Sequence, residues 1–471
     1  MNARLDGLEW LRRPAGAIFR AFTHLNAGRR LAAASITAFV VFGAGTGLSF
    51  LAQVVAARLL GTDVYGEYAI VVAWILLAAS LCTLGFHVSL VRLLPAYIRC
   101  EMWSEANGAV RFAIGASVIA SMVVAALGSL AVVAFISPVQ PELARAFQIG
   151  LIALPFLTLH FVGAAIVRAF GGVVLALAPE RILRDGVILA GLVVAAWAGV
   201  TMNAATAVFV MLVSSVTIFV VVLYGANRLR PFALVGRAPS YAVRKWGALT
   251  LPLICLTLAD NLLSRSGVMV LGMSGRTRDA GIFAIAYSLA QLCALPRIAV
   301  ATVFAPTVSH LYAGQDKAAL QMLSTRAAWL SFSGTACVAI PIILFAPMLL
   351  KWFGPGFADG ASAVCILAIG QLVCAAFGPQ QHLITMTGHE RVAAALLAIC
   401  AAAAFALCTI ASGVIGLFGV AFTIVASLVI WNVAMAQFIH ARLQLLPGLV
   451  APFLMTTSAL KRSEARSIAI E

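Results

Sequence analysis

The chain has 471 residues, 63% of them hydrophobic and 10% charged, with a mean hydropathy of +1.05. Soluble domains carry about 45–50% apolar and about 25% charged residues, and no soluble core hides an apolar excess of this size. A soluble enzyme, a disordered chain and a nucleic-acid binder are excluded, although the net charge is +15.

In chain order, residues 1–34 form a basic tail holding Arg4, Arg12, Arg13, Arg20, Arg29 and Arg30. Apolar residues recur there every three to four positions from Leu5 to Leu25, interrupted at Pro14. That spacing fits an amphipathic helix on the inner leaflet, and a solvated tail fits it equally. The tail is too long and too charged for a cleaved signal peptide.

A membrane span needs about 20 apolar residues. Twelve such runs follow, near 35–57, 68–90, 112–136, 147–168, 186–200, 204–224, 247–271, 281–303, 328–350, 361–381, 392–412 and 415–438. The expected fold is therefore an all-α polytopic membrane protein. It has a first lobe over 35–224, a basic linker over 225–246, a second lobe over 247–438 and a tail over 439–471. With the N-terminus inside, 24 Lys and Arg face the cytoplasm. Five face outward: Arg58, Arg145, Arg276, Arg278 and Lys351. This asymmetry orients both termini inward. No loop exceeds about 25 residues, which leaves no room for an extramembrane catalytic part.

The two halves repeat. Leu60-Gly61 followed by Gly66-Glu67-Tyr68-Ala69-Ile70 recurs as Leu271-Gly272 followed by Gly281-Ile282-Phe283-Ala284-Ile285. Pro95-Ala96-Tyr97 and Pro306-Thr307-Val308 stand 211 residues apart, the offset that separates Leu60 from Leu271. Parallel repeats of this kind place a substrate site between halves. The nine cysteines sit almost entirely in apolar runs without metal-ligand spacing, so they read as packing residues. Gly43, Gly45 and Gly47 follow no strand and fit close helix packing or a bend rather than a dinucleotide fingerprint. No Walker A sequence, HExxH or nucleophile elbow occurs, so neither an enzyme nor a cofactor is expected.

Three motifs carry a family resemblance: Ala57-Arg58-Leu59-Leu60-Gly61 running to Tyr65-Gly66-Glu67-Tyr68-Ala69; Gly281 to Tyr287 with Pro306 and His310-Leu311-Tyr312; and Arg168-Ala169-Phe170-Gly171 mirrored by Thr387-Gly388-His389-Glu390-Arg391. They resemble the polysaccharide (Wzx-type, O-antigen) flippase branch of the multidrug/oligosaccharidyl-lipid/polysaccharide (MOP) exporter superfamily. The resemblance implies two six-helix lobes in a V that open alternately inward and outward. It implies an undecaprenyl-pyrophosphate-linked oligosaccharide as substrate in the bacterial inner membrane, serving O-antigen, capsule or exopolysaccharide synthesis. Polysaccharide polymerase and chain-length regulator proteins are its implied partners. A MATE-like drug or cation exporter and a membrane polymerase or ligase are the alternatives. The exporter is disfavoured because the first six spans show no mid-membrane Asp or Glu.

A sugar pyrophosphate cannot enter hydrocarbon unpaired, so intramembrane polar residues are the binding candidates. Span seven supplies Asp260, Asn261 and Arg265; Arg265 suits a pyrophosphate because guanidinium forks phosphate oxygens. An Asp260/Arg265 ion-pair network between lobes is the structural alternative. Arg297, after Pro296, faces the cavity or snorkels to the interface. Arg58 is either the outermost rung of a ladder with Arg297 and Arg265 or an interfacial anchor. Gln53, Gln291, Gln371 and Asn432 suit sugar hydroxyls or interhelical hydrogen bonds. His87 and His160 are candidates for proton coupling or for packing.

Overall fold

The computed structural model describes residues 25–234 and 236–449, with side chains from Gly43 onward. The amphipathic reading of the N-terminal tail and the end of the C-terminal tail lie outside these residues. Every described element is helical, as expected where hydrocarbon leaves backbone groups no partner outside their own segment.

The first half comprises α1 (Leu25–Cys82), α2 (Phe86–Arg99), α3 (Trp103–Ala131), α4 (Pro141–Ala169), α5 (Val173–Ala178), α6 (Arg184–Trp197) and α7 (Ala204–Leu229). The second comprises α8 (Val243–Met273), α9 (Thr277–Leu292), α10 (Leu295–Ala313), α11 (Lys317–Leu344), α12 (Ala346–Lys351), α13 (Ala361–Ala376), α14 (Gln380–Met386), α15 (Glu390–Val414) and α16 (Leu417–Leu443). Nine helical units among the described residues are long and apolar enough to cross a membrane, or ten if the bent pair α9 and α10 forms one span. The chain is a multi-pass membrane protein.

Most helices run past the apolar stretches that marked them, because hydropathy detects only the hydrocarbon-facing turns. Two regions differ more sharply. The first two expected spans are one helical run, α1, broken at Gly61 (φ 73°, ψ 176°). The expected span at 186–200 begins instead at Val173 and passes through a π-helical turn, Pro179–Leu183. Charged Glu180, Arg181, Arg184 and Asp185 hide this first part from any hydropathy window. Arg181 and Arg184 are therefore not loop residues.

One apolar core joins the halves. It runs from Ala56, Tyr65 and Ile70 on α1 through Leu154 and Met211 to Ile282 and Phe283 on α9 and Phe353 and Phe357 beyond α12. Three smaller cores lie apart among the described residues, one within the second half around Leu397 and Met435, one around Leu90, Ile166 and Trp246, and one around Val167 and Val222. At the joint, α1 crosses α9 through the repeated glycines. A Cβ on Gly66 would overlap Thr277 O, and one on Gly281 would lie 2.5 Å from Thr62 O and 2.9 Å from Gly66 N. Thr62/Gly66 and Thr277/Gly281 make the same contact in both directions, as a two-fold relation between repeats requires. Phe50 meets Phe353 edge-on at 5.4 Å, and Tyr65 meets Phe357 at 5.9 Å. Elsewhere between the halves, an exposed Arg92–Glu390 pair at 3.5 Å links α2 to α15.

The crossing predicts that Gly281→Ala destabilises the protein by about 1–3 kcal/mol through overpacking against backbone that cannot yield. Gly43→Ala, with open space around its Cβ position, leaves the melting temperature unchanged. Thermal unfolding of the two purified variants reads the contrast.

Candidate functional site: a cationic cavity between the halves

A cavity of about 530 Å³ lies where α1, the 179–185 turn, α6, α8 and α9 converge. Both halves build its wall. The first contributes Gln53, Tyr68, Arg181, Arg184 and Asp185, and the second contributes Arg265, Tyr287, Ser288 and Gln291. The 179–185 turn can come this close because Gly45 on α1 has no side chain; a Cβ there would lie 2.7 Å from Arg181 O. Gly43 and Gly47 meet nothing within 4 Å, so of the three glycines only Gly45 is a packing contact.

Its charge is one-sided. Arg184 is paired, its Nε–H donating to Asp185 Oδ1 at 3.0 Å, and Ser214 anchors the turn by donating to Arg184 O at 2.8 Å. Arg265 makes no ion pair, and its buried Nε has no hydrogen-bond partner among the described residues. Three guanidiniums therefore face one carboxylate. Gln291 donates to the Tyr287 hydroxyl at 2.7 Å, and Gln53 donates to Ser49 Oγ at 3.4 Å.

A smaller pocket of about 130 Å³ shares Ser264, Tyr287 and Gln291 with the main cavity and adds Asp260, Arg297, Gln371 and Asn432. Asp260 and Arg297 both line this pocket, Asp260 accessibly, and Arg265 lines the main cavity. None of the ion pairs among the described residues joins these three groups. Gln371 is buried with Oε1 unpartnered. Asn432 donates to Leu428 O at 2.9 Å.

The structure thus brings Gln53, Gln291 and Arg265 to the main cavity, and Asp260, Arg297 and Gln371 to the adjoining pocket, with Gln291 on both. Two others stand apart. Asn261 lines neither and donates to Thr257 O within its own helix at 2.9 Å. Arg58 is exposed, and its Nε–H donates to Trp352 O at 2.6 Å across the joint between halves. His87 contacts the Thr83 hydroxyl at 2.7 Å, and the buried ring nitrogens of His160 have no hydrogen-bond partner among the described residues. Sequence reading missed Arg181, Arg184 and Asp185. The available signal was their spacing, which returns charge to one face of a helix after about one turn. Asp185 is a buried carboxylate of the first half that lines the cavity.

No family model matches the chain, and no curated protein matches it. Solved structures do. The inward-facing conformation of a multidrug resistance MATE family transporter of the MOP superfamily superposes with a TM-score of 0.73 at 16% identity, covering 85% of this chain and 94% of that one. The fold is that of the MATE transporters. An outward-facing MATE family transporter of the same superfamily gives a TM-score of 0.57 at 17% identity over 86% and 95% of the two chains. The lipid II flippase MurJ, in an inward closed conformation, gives 0.63 at 13% identity over 86% and 87%.

The charge balance predicts how a thiol placed on the wall reacts. With the native cysteines replaced, Ser264→Cys should react with an anionic methanethiosulfonate faster than with a cationic one. Relative to a free thiol, the ratio should rise by about tenfold, the equivalent of ~1.4 kcal/mol of local potential. An unchanged ratio would show that the cavity carries no net field.

Proposed function

We propose that this protein is a flippase that moves a polyprenyl-pyrophosphate-linked oligosaccharide, undecaprenyl being the carrier, across the bacterial inner membrane by alternating access. The observation that carries the reading is the excess of guanidinium in the cavity between the halves. Stripping a pyrophosphate of water without partners costs many kcal/mol, and Arg181, Arg184 and Arg265 offer charge-assisted donors from both halves. The lipid tail stays in the bilayer while the head group crosses, so the site has to lie between lobes that separate.

In this reading the chain crosses the membrane twelve times, with both termini cytoplasmic. The break at Gly61 divides α1 into two crossings, and α5, the π turn and α6 together make another. Arg265 holds the pyrophosphate with Arg181 and Arg184; Gln53 and Gln291 meet the first sugar hydroxyls. Asp260, Arg297 and Gln371 continue the path, while Arg58 serves the joint rather than the cargo. The polymer is lipopolysaccharide O-antigen, capsule or exopolysaccharide, and polymerase and chain-length proteins act next on the product. No chemical step is assigned to this chain.

A drug or cation exporter is the second reading, favoured by Asp185 in the first half. Its charge is already answered by Arg184, so the cavity remains suited to an anion.

Deleting the gene and assaying the leaflet distribution of the lipid-linked oligosaccharide in spheroplasts tests the proposal. The intermediate should accumulate on the cytoplasmic leaflet. Wild type should restore it, and Arg184→Gln/Arg265→Gln at equal membrane level should not. A normal distribution accompanied by altered drug tolerance would replace the flippase with the exporter.

A further inference from the structure

Beyond the Asp260 pocket lies a third cavity, of about 220 Å³ and wholly within the second half. It shares Arg297, Gln381, Trp431 and Asn432 with that pocket, so an unbroken series of shared walls leads to it from the main cavity. Two interrupted helices frame it. One is the 48° bend between α9 and α10. The other is the gap between α13 and α14, where Gly378 takes φ 74° and Pro379 follows. Irregular backbone at membrane depth is tolerated where it is buried in protein or lines a cavity.

Unsatisfied polar atoms gather here. Among the described residues, Arg297 Nε, Trp431 Nε1 and both amide atoms of Gln380 are buried without a hydrogen-bond partner, as is Gln371 Oε1 at the neck. Gln380 is only 3% exposed and lines the chamber. Buried polar groups in native proteins are almost always paired, so this concentration marks a place where something binds. The chemistry of the set narrows what that is. No carboxylate lines the chamber, so a metal or organic cation has no counter-charge. A simple anion would leave the Gln380 carbonyl oxygen unanswered. A hydroxyl both donates and accepts, and so satisfies the amide, the indole N–H and the guanidinium alike. Trp431 adds an apolar face beside its polar N–H. The volume is below the ≈ 300–1,000 Å³ of drug-sized pockets, which suits one ring rather than a chain of them.

We propose that this chamber is a glycosyl subsite: it receives one sugar ring of the cargo's oligosaccharide while the pyrophosphate remains at Arg181, Arg184 and Arg265. The proposal rests on the flippase reading, and specifies how the head group is read along its length. Gln380 is the residue on which it turns, since both of its amide atoms await a partner.

The test uses the full-length protein in vesicles and two lipids, bare undecaprenyl pyrophosphate and the lipid-linked oligosaccharide extracted from gene-deleted cells. Gln380→Leu removes the amide at similar size, and Ala305→Phe fills the chamber without touching its polar groups. With each variant at equal density of folded protein, flipping of the oligosaccharide lipid should fall at least about tenfold. Flipping of the bare pyrophosphate lipid should stay at the wild-type rate. If both variants move the oligosaccharide lipid normally, or lose both lipids equally, the subsite is wrong while the flippase reading stands. If wild type moves neither lipid, the flippase reading itself falls.

Discussion

Guanidinium inside a membrane protein is the constraint from which the remaining features follow. Arg181, Arg184, Arg265 and Arg297 line the cavities of the helical bundle together with the carboxylates Asp185 and Asp260, and Glu180 adjoins Arg181 in the π turn. A charge at the bilayer centre is costly and is tolerated when it faces a watery cavity or a partner. Arg184 pairs with Asp185 within the cavity wall. Arg265 and Arg297 face the open space of the main cavity and the adjoining pocket.

At its tightest point the joint is made of backbone. Gly66 and Gly281 let α1 and α9 approach until each touches the other's carbonyl, and aromatic side chains close over the contact. Close backbone approach through small residues is how helices associate where lipid offers no hydrophobic drive between them. The contact repeats in both directions, and the halves also meet where Trp246 donates to the Tyr97 hydroxyl at 3.1 Å and where Arg92 pairs with Glu390. The main cavity lies between these contacts, walled by both halves.

Much of this was legible in the sequence. The repeated Gly-x-x-Ala-Ile motif marked the residues that touch across the joint, although the touching pair lies 215 residues apart rather than 211, because four extra residues precede Gly281. Arg265, Gln53 and Gln291 stood out as polar residues in apolar runs, and they do line the cavity. What stayed hidden was polar in clusters. Glu180-Arg181 and Arg184-Asp185 lower local hydropathy so far that a helical turn lining the cavity reads as a loop. Gln380-Gln381-His382 sits beyond a Gly-Pro break for the same reason. Hydropathy measures contact with lipid, and the residues that serve a hydrated interior have none.

Binding of a short soluble pyrophosphate lipid to the full-length protein in nanodiscs asks whether the cavity takes an anionic head group. Calorimetry would compare farnesyl pyrophosphate with farnesol. The pyrophosphate alone should bind saturably, more weakly as salt rises, and not at all in Arg184→Gln/Arg265→Gln. Equal binding of the two lipids, or pyrophosphate binding indifferent to both arginines, would show that the guanidiniums do not hold the head group.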